Sequence, residues 1–278
     1  MAICSFSTLL KEAEERNRAA GAFNVGSMEM LMGVLAAAEE RETPVILQIA
    51  EKRLRHSPLE LMGPMMVSAA RAARIPVAVH LDHGSTPAVL RQAMDMGFTS
   101  VMFDGSALPL AENIKETRAL ADEAHARGVE VEAEIGVLGG SEGGPEQRSV
   151  CTDPEEAERL ASASGCDALA VAIGNAHGHY KGVPKLRFDV LEDIRRRVGV
   201  PLVLHGGTGI PAEDFRRAIS LGVRKINIAT ANFDALTSGA ARLLHEREDA
   251  DYFALNEAMV QSVKENALRH LSIFQRSE

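Results

Sequence analysis

Short runs of apolar, largely β-branched residues recur along the chain. They lie at 22–25 (AFNV), 44–48 (PVILQ), 76–81 (PVAVHL), 99–104 (TSVMFD), 129–135 (VEVEAEI), 168–173 (ALAVAI), 200–205 (VPLVLH) and 224–229 (RKINIA). Between them, at 28–41, 59–73, 86–96, 110–127, 154–164, 188–198 and 212–221, apolar residues return every three or four positions. That spacing predicts helices with one buried face. Pro44, Pro76 and Pro201 stand just before three of the strands, where they end a helix without removing a ladder bond. Gly97, Gly128, Gly165, Gly199 and Gly222 follow five helical segments and read as C-terminal glycines. Near-continuous apolar strands alternating with helices predict a parallel sheet covered on its outer face. The expected fold is therefore an α/β protein, a (β/α)8 TIM barrel spanning 1–278 as one domain. A doubly wound open sheet is the alternative, and eight consecutive similar units fit it less well.

In such a barrel, chemistry belongs at the C-terminal ends of the strands. The unusual residues fall there: Asn24, the HLDHG segment at 80–84, Asp104, Glu132 and Glu134, His177 and His179, His205 with Gly206 and Gly207, and Asn227 to Thr230. Asp104 or Glu132 alone would read as a structural hydrogen-bonding group. Polar residues on nearly every strand end predict one shared axial cavity.

Three histidines at different strand ends, His83, His177 and His205, are the candidate metal ligands. A lone buried histidine is usually a satisfied core residue. Three neutral imidazoles at equivalent barrel positions suit Zn2+ and leave a fourth position open for substrate. His80 is expected to support this site at most, His179 to face the loop, and His56, His125, His245 and His270 to play no part. Gly206, Gly207, Thr208 and Gly209, with Asn227 to Thr230, form the candidate phosphate site. Glycine lets backbone N–H groups approach an anion, and the loops after the last two strands often do so in barrels. Lys181 could add a positive charge.

Composition narrows the partners. Hydrophobic residues make up 46% of the chain, ordinary for a large buried core. A net charge of -9 and a pI near 5.6 argue against nucleic acid. Apolar runs such as 199–204 are far short of the ~20 residues of a membrane span, and the N-terminus lacks the marks of a signal peptide. Three cysteines, Cys4, Cys151 and Cys166, without CxxC spacing, read as free thiols, so a cytoplasmic location is expected.

The segments AFNVGSMEM (22–30), HLDHG (80–84), SVMFDGS (100–106), VEAEIGVLGGSEGG (131–144), AVAIGNAHGHYKGVPKL (170–186), VLHGGTGIP (203–211) and KINIAT (225–230) resemble the class II, zinc-dependent fructose- and tagatose-bisphosphate aldolases. The resemblance runs in order from about residue 5 to about residue 275. It implies His83, His177 and His205 as zinc ligands and Asp82 as the catalytic acid/base. It implies Asn24, Gly178, Lys181, Gly206, Gly207, Thr208, Asn227, Ile228, Ala229 and Thr230 as substrate-binding residues. Glu134 matches a second, weaker cation position supported by Asp104. A monovalent cation, Na+ or K+, near the phosphate is also implied, as is a homodimer or homotetramer.

The implied reaction is reversible cleavage of a ketose phosphate to dihydroxyacetone phosphate and an aldehyde. Zinc on the ketone oxygens would stabilise the enediolate, so no Schiff-base lysine is required. None stands at a convincing interior position; Lys225 begins the last strand at the wrong end. Asp82 would take the C4 hydroxyl proton. Glu142, in the glycine-rich loop 136–154, is the candidate for protonating the carbon, and an ordinary solvated loop carboxylate is the equal alternative.

Three features bear on the substrate. Ala229 stands where fructose-type members often carry Asp or Asn, which favours tagatose 1,6-bisphosphate. Ala50 stands where many relatives have serine, and Lys52, Arg53 and Arg55 beside it are unusually basic. Phe233 replaces a basic or polar residue that reaches the distal phosphate, and DADYFALNE at 249–257 replaces a basic stretch. Fructose 1,6-bisphosphate or a less phosphorylated ketose are the alternatives. Outside aldolases, a metal-dependent hydrolase or a silent sugar-phosphate binder would use part of the same residue set.

Overall fold

Eight parallel strands close into a barrel in the computed structural model, which describes residues 3–140, 150–180 and 182–275. They are β1 (Ala20–Asn24), β2 (Val45–Ala50), β3 (Val77–Gly84), β4 (Ser100–Phe103), β5 (Glu130–Ile135), β6 (Ala168–Val171), β7 (Leu202–Leu204) and β8 (Val223–Ile228). Each pairs with its neighbours in sequence, and β8 closes on β1 with Ala20 opposite Lys225 and Phe23 opposite Ile228. Closure leaves no free sheet edge, which excludes the open-sheet alternative.

The helices are α1 (Phe6–Glu15), α2 (Met28–Glu40), α3 (Leu59–Ala72), α4 (Pro87–Asp95), α5 (Leu110–His125), α6 (Pro154–Ser164), α7 (Phe188–Arg197), α8 (Ala212–Ser220), α9 (Thr230–Glu246) and α10 (Tyr252–Phe274). Local chemistry sets their ends. The Asp153 carboxylate accepts the N–H groups of Glu155 and Glu156, Pro154 opens α6, and Gly165 closes it at φ 71°. Gly97, Gly128 and Gly222 also take positive φ after their helices, but Gly199 does not. None of the described helices is long and apolar enough to cross a membrane.

Three helices, α1, α9 and α10, lie outside the seven expected segments. α9 is the helix of the eighth unit, and its buried residues are Asn232 and Gly239, so no apolar stripe marks its inner face. α1 precedes the first strand and plugs the barrel. Phe6, Leu9 and Leu10 meet Ala20, Ala22, Ile46, Ala78, Ala168, Ala170 and Val203 in a small cluster inside the barrel base. The alanines leave the volume that Phe6 fills. The larger core lies between strands and outer helices. The apolar face of α10 is spent within the chain: Val263, Ala267, Leu271 and Phe274 are buried. Exposed large apolar side chains include Tyr252 and Phe253 at the start of α10 and Met28 and Met32 on α2; Leu61, Leu108, Val150, Val183 and Leu244 are scattered elsewhere.

Successive side chains along a strand alternate in direction. The inward positions therefore stack in layers: alanines at the base, then His80, Glu132 and Lys225, then Asn24, Asp82, Glu134 and Asn227 at the mouth.

Candidate active site

Three imidazole nitrogens meet at the barrel mouth. His83 Nε2 lies 3.1 Å from His177 Nε2 and 2.9 Å from His205 Nδ1. His83 Nδ1 donates to Asp104 Oδ2 at 2.9 Å, and His205 Nε2 donates to Glu132 Oε1 at 2.8 Å. A carboxylate can only accept, so these bonds assign a proton to each far nitrogen and leave the near nitrogens facing one another. Four-coordinate zinc at 2.0–2.1 Å from nitrogen separates its ligand atoms by about 3.3 Å. The donor set and its spacing thus fit a metal ion, and Asp104 and Glu132 supply the outer hydrogen bonds that such ligands need. A second group of possible ligands, His83, Asp104 and Glu134, shares one histidine with the first.

Asp82 is the carboxylate beside this cluster. Asn24 Nδ2 donates to its Oδ2 at 3.0 Å, and Asn227 Nδ2 to its Oδ1 at 3.1 Å. Gln48 Nε2 donates to Asn24 Oδ1 at 2.6 Å, which fixes the orientation of that amide. Burial would raise the Asp82 pKa, but His83, His205 and Lys225 hold it below the usual carboxylate range. His83 is opposed by burial, yet Asp82, Glu134 and Asp104 push it up to about 10. His177 is lowered by burial and by the neighbouring imidazoles. Glu134 is raised by burial and by Asp104, and its Oε2 has no hydrogen-bond partner among the described residues.

Asn24, Asp82, His83, His177, Gly178, Gly206, Gly207, Thr208, Asn227, Ala229 and Thr230 line one cavity. Gly206 takes φ 65°, and a Cβ there would stand 2.1 Å from the Ala176 carbonyl oxygen. Tyr180 ties the same two segments, accepting from Ala176 N and donating to Gly206 O, both at 2.9 Å. The N-terminus of α9 opens on the cavity, and Thr208 Oγ1 accepts its Ala231 N–H at 3.0 Å. Backbone N–H groups at a helix N-terminus favour an anion.

Most of the expected site residues are brought together here. Ile228 is an exception: its side chain packs in the core, under Gly207, and does not line the cavity. Glu142 and Lys181 lie outside the described residues. His179 is exposed and paired with Asp234 at 3.3 Å. A second cavity shares His83 and His177 and is lined by Lys52, Asp104 and Glu134 among others.

Sequence reasoning missed Gln48 and Tyr180, and did not place Lys225 in the interior. Lys225 stands below the mouth in the first half of its strand, opposite Ala20, yet it is fully buried inside the barrel, where Nζ donates to Glu132 Oε2 at 2.7 Å. Gln48 left one trace, a single amide in the apolar run VILQIA. Among the three basic residues after β2, Arg53 is the one beside Phe233, its guanidinium carbon 5.6 Å from the ring centroid. Both line a cavity of about 350 Å³ with Gly26, Met30 and His56. Arg55 turns to His56, and Lys52 lines the second cavity.

Comparison with known proteins agrees with this geometry. The family model described as fructose-bisphosphate aldolase class-II matches residues 4–278. A fructose-bisphosphate aldolase of Geobacillus stearothermophilus is 45% identical over 250 residues, covering 88% of this chain and 86% of that protein. One from Staphylococcus epidermidis is 41% identical over 253 residues, covering 90% and 88%. The crystal structure of the YdjI aldolase from Escherichia coli K12 superposes with a TM-score of 0.87 at 38% identity, covering 98% of this chain and 97% of that one.

Proposed function

This chain belongs to the class II fructose-bisphosphate aldolases, carbon–carbon lyases acting on sugar phosphates, and on that premise we propose that it cleaves tagatose 1,6-bisphosphate to dihydroxyacetone phosphate and glyceraldehyde 3-phosphate. The observation that carries this reading is the Asp82 carboxylate, clamped by two asparagine amides beside three converging imidazoles. Breaking a bond next to a ketone needs a base on one side and an electron sink on the other. A hydrolase would not need the glycine-lined anion site, and a silent binder would gain nothing from a clamped carboxylate.

In this proposal His83, His177 and His205 would hold Zn2+, which would supply Lewis acidity for the charge that develops on the ketone-side oxygens. Asp82 takes the proton of the C4 hydroxyl in cleavage and returns it in synthesis. Asn24 and Asn227 each hold one of its oxygens, which fixes the plane of the carboxylate and leaves a further lone pair on each oxygen. Glu142 delivers the proton to the carbon that becomes the new hydroxymethyl group. The N–H groups around Gly178, Gly206 to Thr208 and Thr230 hold the first phosphate, with Lys181 adding charge. A monovalent cation beside that phosphate, and a weaker cation at Asp104 and Glu134, belong to the same reading.

Ala229 supports the tagatose choice. It presents a methyl group to the cavity, where a carboxylate would hold a hydroxyl whose orientation separates the two sugars. The relatives' names favour fructose 1,6-bisphosphate, which is the second reading. Arg53 supports a charged distal end, since a phosphate needs a fixed cation and Phe233 offers none. Steady-state kinetics with both bisphosphates and with ketose 1-phosphates tests the choice. A kcat/KM for fructose 1,6-bisphosphate far above the others would refute the tagatose assignment. Association as a homodimer or homotetramer is proposed on the exposed Met28, Met32, Tyr252 and Phe253; a purely monomeric mass by light scattering would exclude it.

A further inference from the structure

The layer beneath the mouth carries charge that the reaction itself does not use. Glu132 and Lys225 are fully buried, as are His80 and His205. Glu132 Oε1 accepts from His205 Nε2 at 2.8 Å, and its Oε2 accepts from Lys225 Nζ at 2.7 Å. His80 Nε2 is 3.6 Å from the same Oε2 and has no hydrogen-bond partner among the described residues. The other nitrogen of His80 meets Ser100 Oγ at 2.8 Å. Phe6 of α1 closes the layer from below: its ring stacks on His80 at 5.4 Å and lies 5.9 Å from Lys225 Nζ.

We propose that Lys225 is a positioning residue for the metal centre: by pinning Glu132, it holds His205 with the Nδ1 lone pair aimed at the point that His83 and His177 face. This rests on the reading of those three histidines as ligands.

The reason is competition for one oxygen. With Lys225 in place, Glu132 spans two donors and its rotamer is held at both ends. Without the ammonium, Oε2 has one nearby donor left, the unpartnered His80 Nε2. A small rotation toward it draws Oε1 away from His205. The His205 ring then has a second acceptor in reach, Glu134 Oε2, 3.8 Å from Nδ1. Donating there would place the proton on the nitrogen that must bind the metal. Outer-shell partners of a ligating histidine are typically worth 10- to 100-fold in metal affinity. The plain alternative is that Lys225 only balances a buried carboxylate, in which case it affects folding and not the metal.

The test is zinc affinity by competition with a chromogenic chelator, the visible spectrum of the Co2+ form, and thermal unfolding of the metal-free protein. Lys225→Met and Glu132→Gln should each raise the zinc Kd roughly 10- to 100-fold and change the cobalt bands. The double variant should be no worse than the weaker-binding single one, and Lys225→Arg should recover part of the loss. A folded Lys225→Met with wild-type zinc affinity and cobalt spectrum overturns the proposal. Wild-type protein that binds no zinc, or a folded His205→Ala that binds it normally, overturns the ligand reading instead. If Lys225→Met does not fold, Lys225→Gln gives the affinity. Nitrogen-15 correlation spectra of the wild-type apoprotein give a further check. Nε2–H on His205 is expected, and Nδ1–H overturns the proposal.

Discussion

Asp82 and His83 are consecutive in sequence, yet both open on the same cavity. In a regular strand they would face opposite sides of the sheet. His83 takes φ 46°, and the register of β3 with β4 slips between Leu81 and Gly84. The irregularity turns the imidazole inward and sets a carboxylate and a candidate ligand side by side. A non-glycine residue in this region costs of order 1–3 kcal/mol and persists only where its surroundings hold it. Here the bond from His83 Nδ1 to Asp104 is such a hold.

Asp82→Ala should keep the metal site, because His83 and its partners remain, and should lose cleavage by about 10²-fold or more. Turnover with zinc content measured on the same sample decides it. Near-normal kcat with chemistry rate-limiting would end the acid/base assignment.

Removing the metal should abolish activity, and zinc or cobalt should restore it. His177→Ala should lose tight zinc binding while staying folded, since its Nδ1 has no hydrogen-bond partner among the described residues. Full activity in exhaustively chelated protein would contradict the three-histidine reading.

Arg53→Met should lower kcat/KM for a bisphosphate by roughly 10- to 100-fold, the worth of one charge-assisted pair. In the synthetic direction, aldehydes without a phosphate should react almost as in the wild type. An equal loss for both kinds of aldehyde would show that Arg53 does not meet the distal phosphate.

His270 provides a pH-dependent term in stability. It is 4% exposed among Phe23, Phe215 and Phe274, and its Nδ1 donates to Asn266 O at 2.8 Å. Burial lowers its pKa from 6.5 to about 4. Below pH 6.5 the unfolded chain takes up the proton first, so unfolding is favoured as pH falls. The contribution is whole above pH 6.5 and is lost progressively down to pH 4, in all about 3 kcal/mol. Urea unfolding of the metal-free protein should show a shallower pH slope over that range for His270→Gln. Identical slopes for the two proteins would rule the term out.

The eight strands and seven of the helices were legible because burial imposes a period of two on strands and 3.6 on helices, whatever the rest of the chain does. The three histidines, Asp82 and the glycine loop were legible for a related reason: a barrel gathers its strand ends at one mouth, so residue type and position along each strand imply convergence. α1 was not legible, since its task is set by the space that inward alanines leave in the barrel base. Gln48 escaped notice because one amide in an apolar strand has meaning only once Asn24 is known to lie beside it.

The chain's own order of apolar and polar residues therefore determined the barrel, its mouth and most of the side chains gathered there. The tertiary structure alone decided which way each group points. It put Asp82 and His83 on one side through a positive φ that no spacing announces. It made Lys225 an interior cation by pairing it with Glu132, a residue 93 positions away. It chose Arg53 over Lys52 and Arg55 as the cation beside Phe233. Directions of this kind depend on contacts between strands distant in sequence, and a linear pattern carries no record of them.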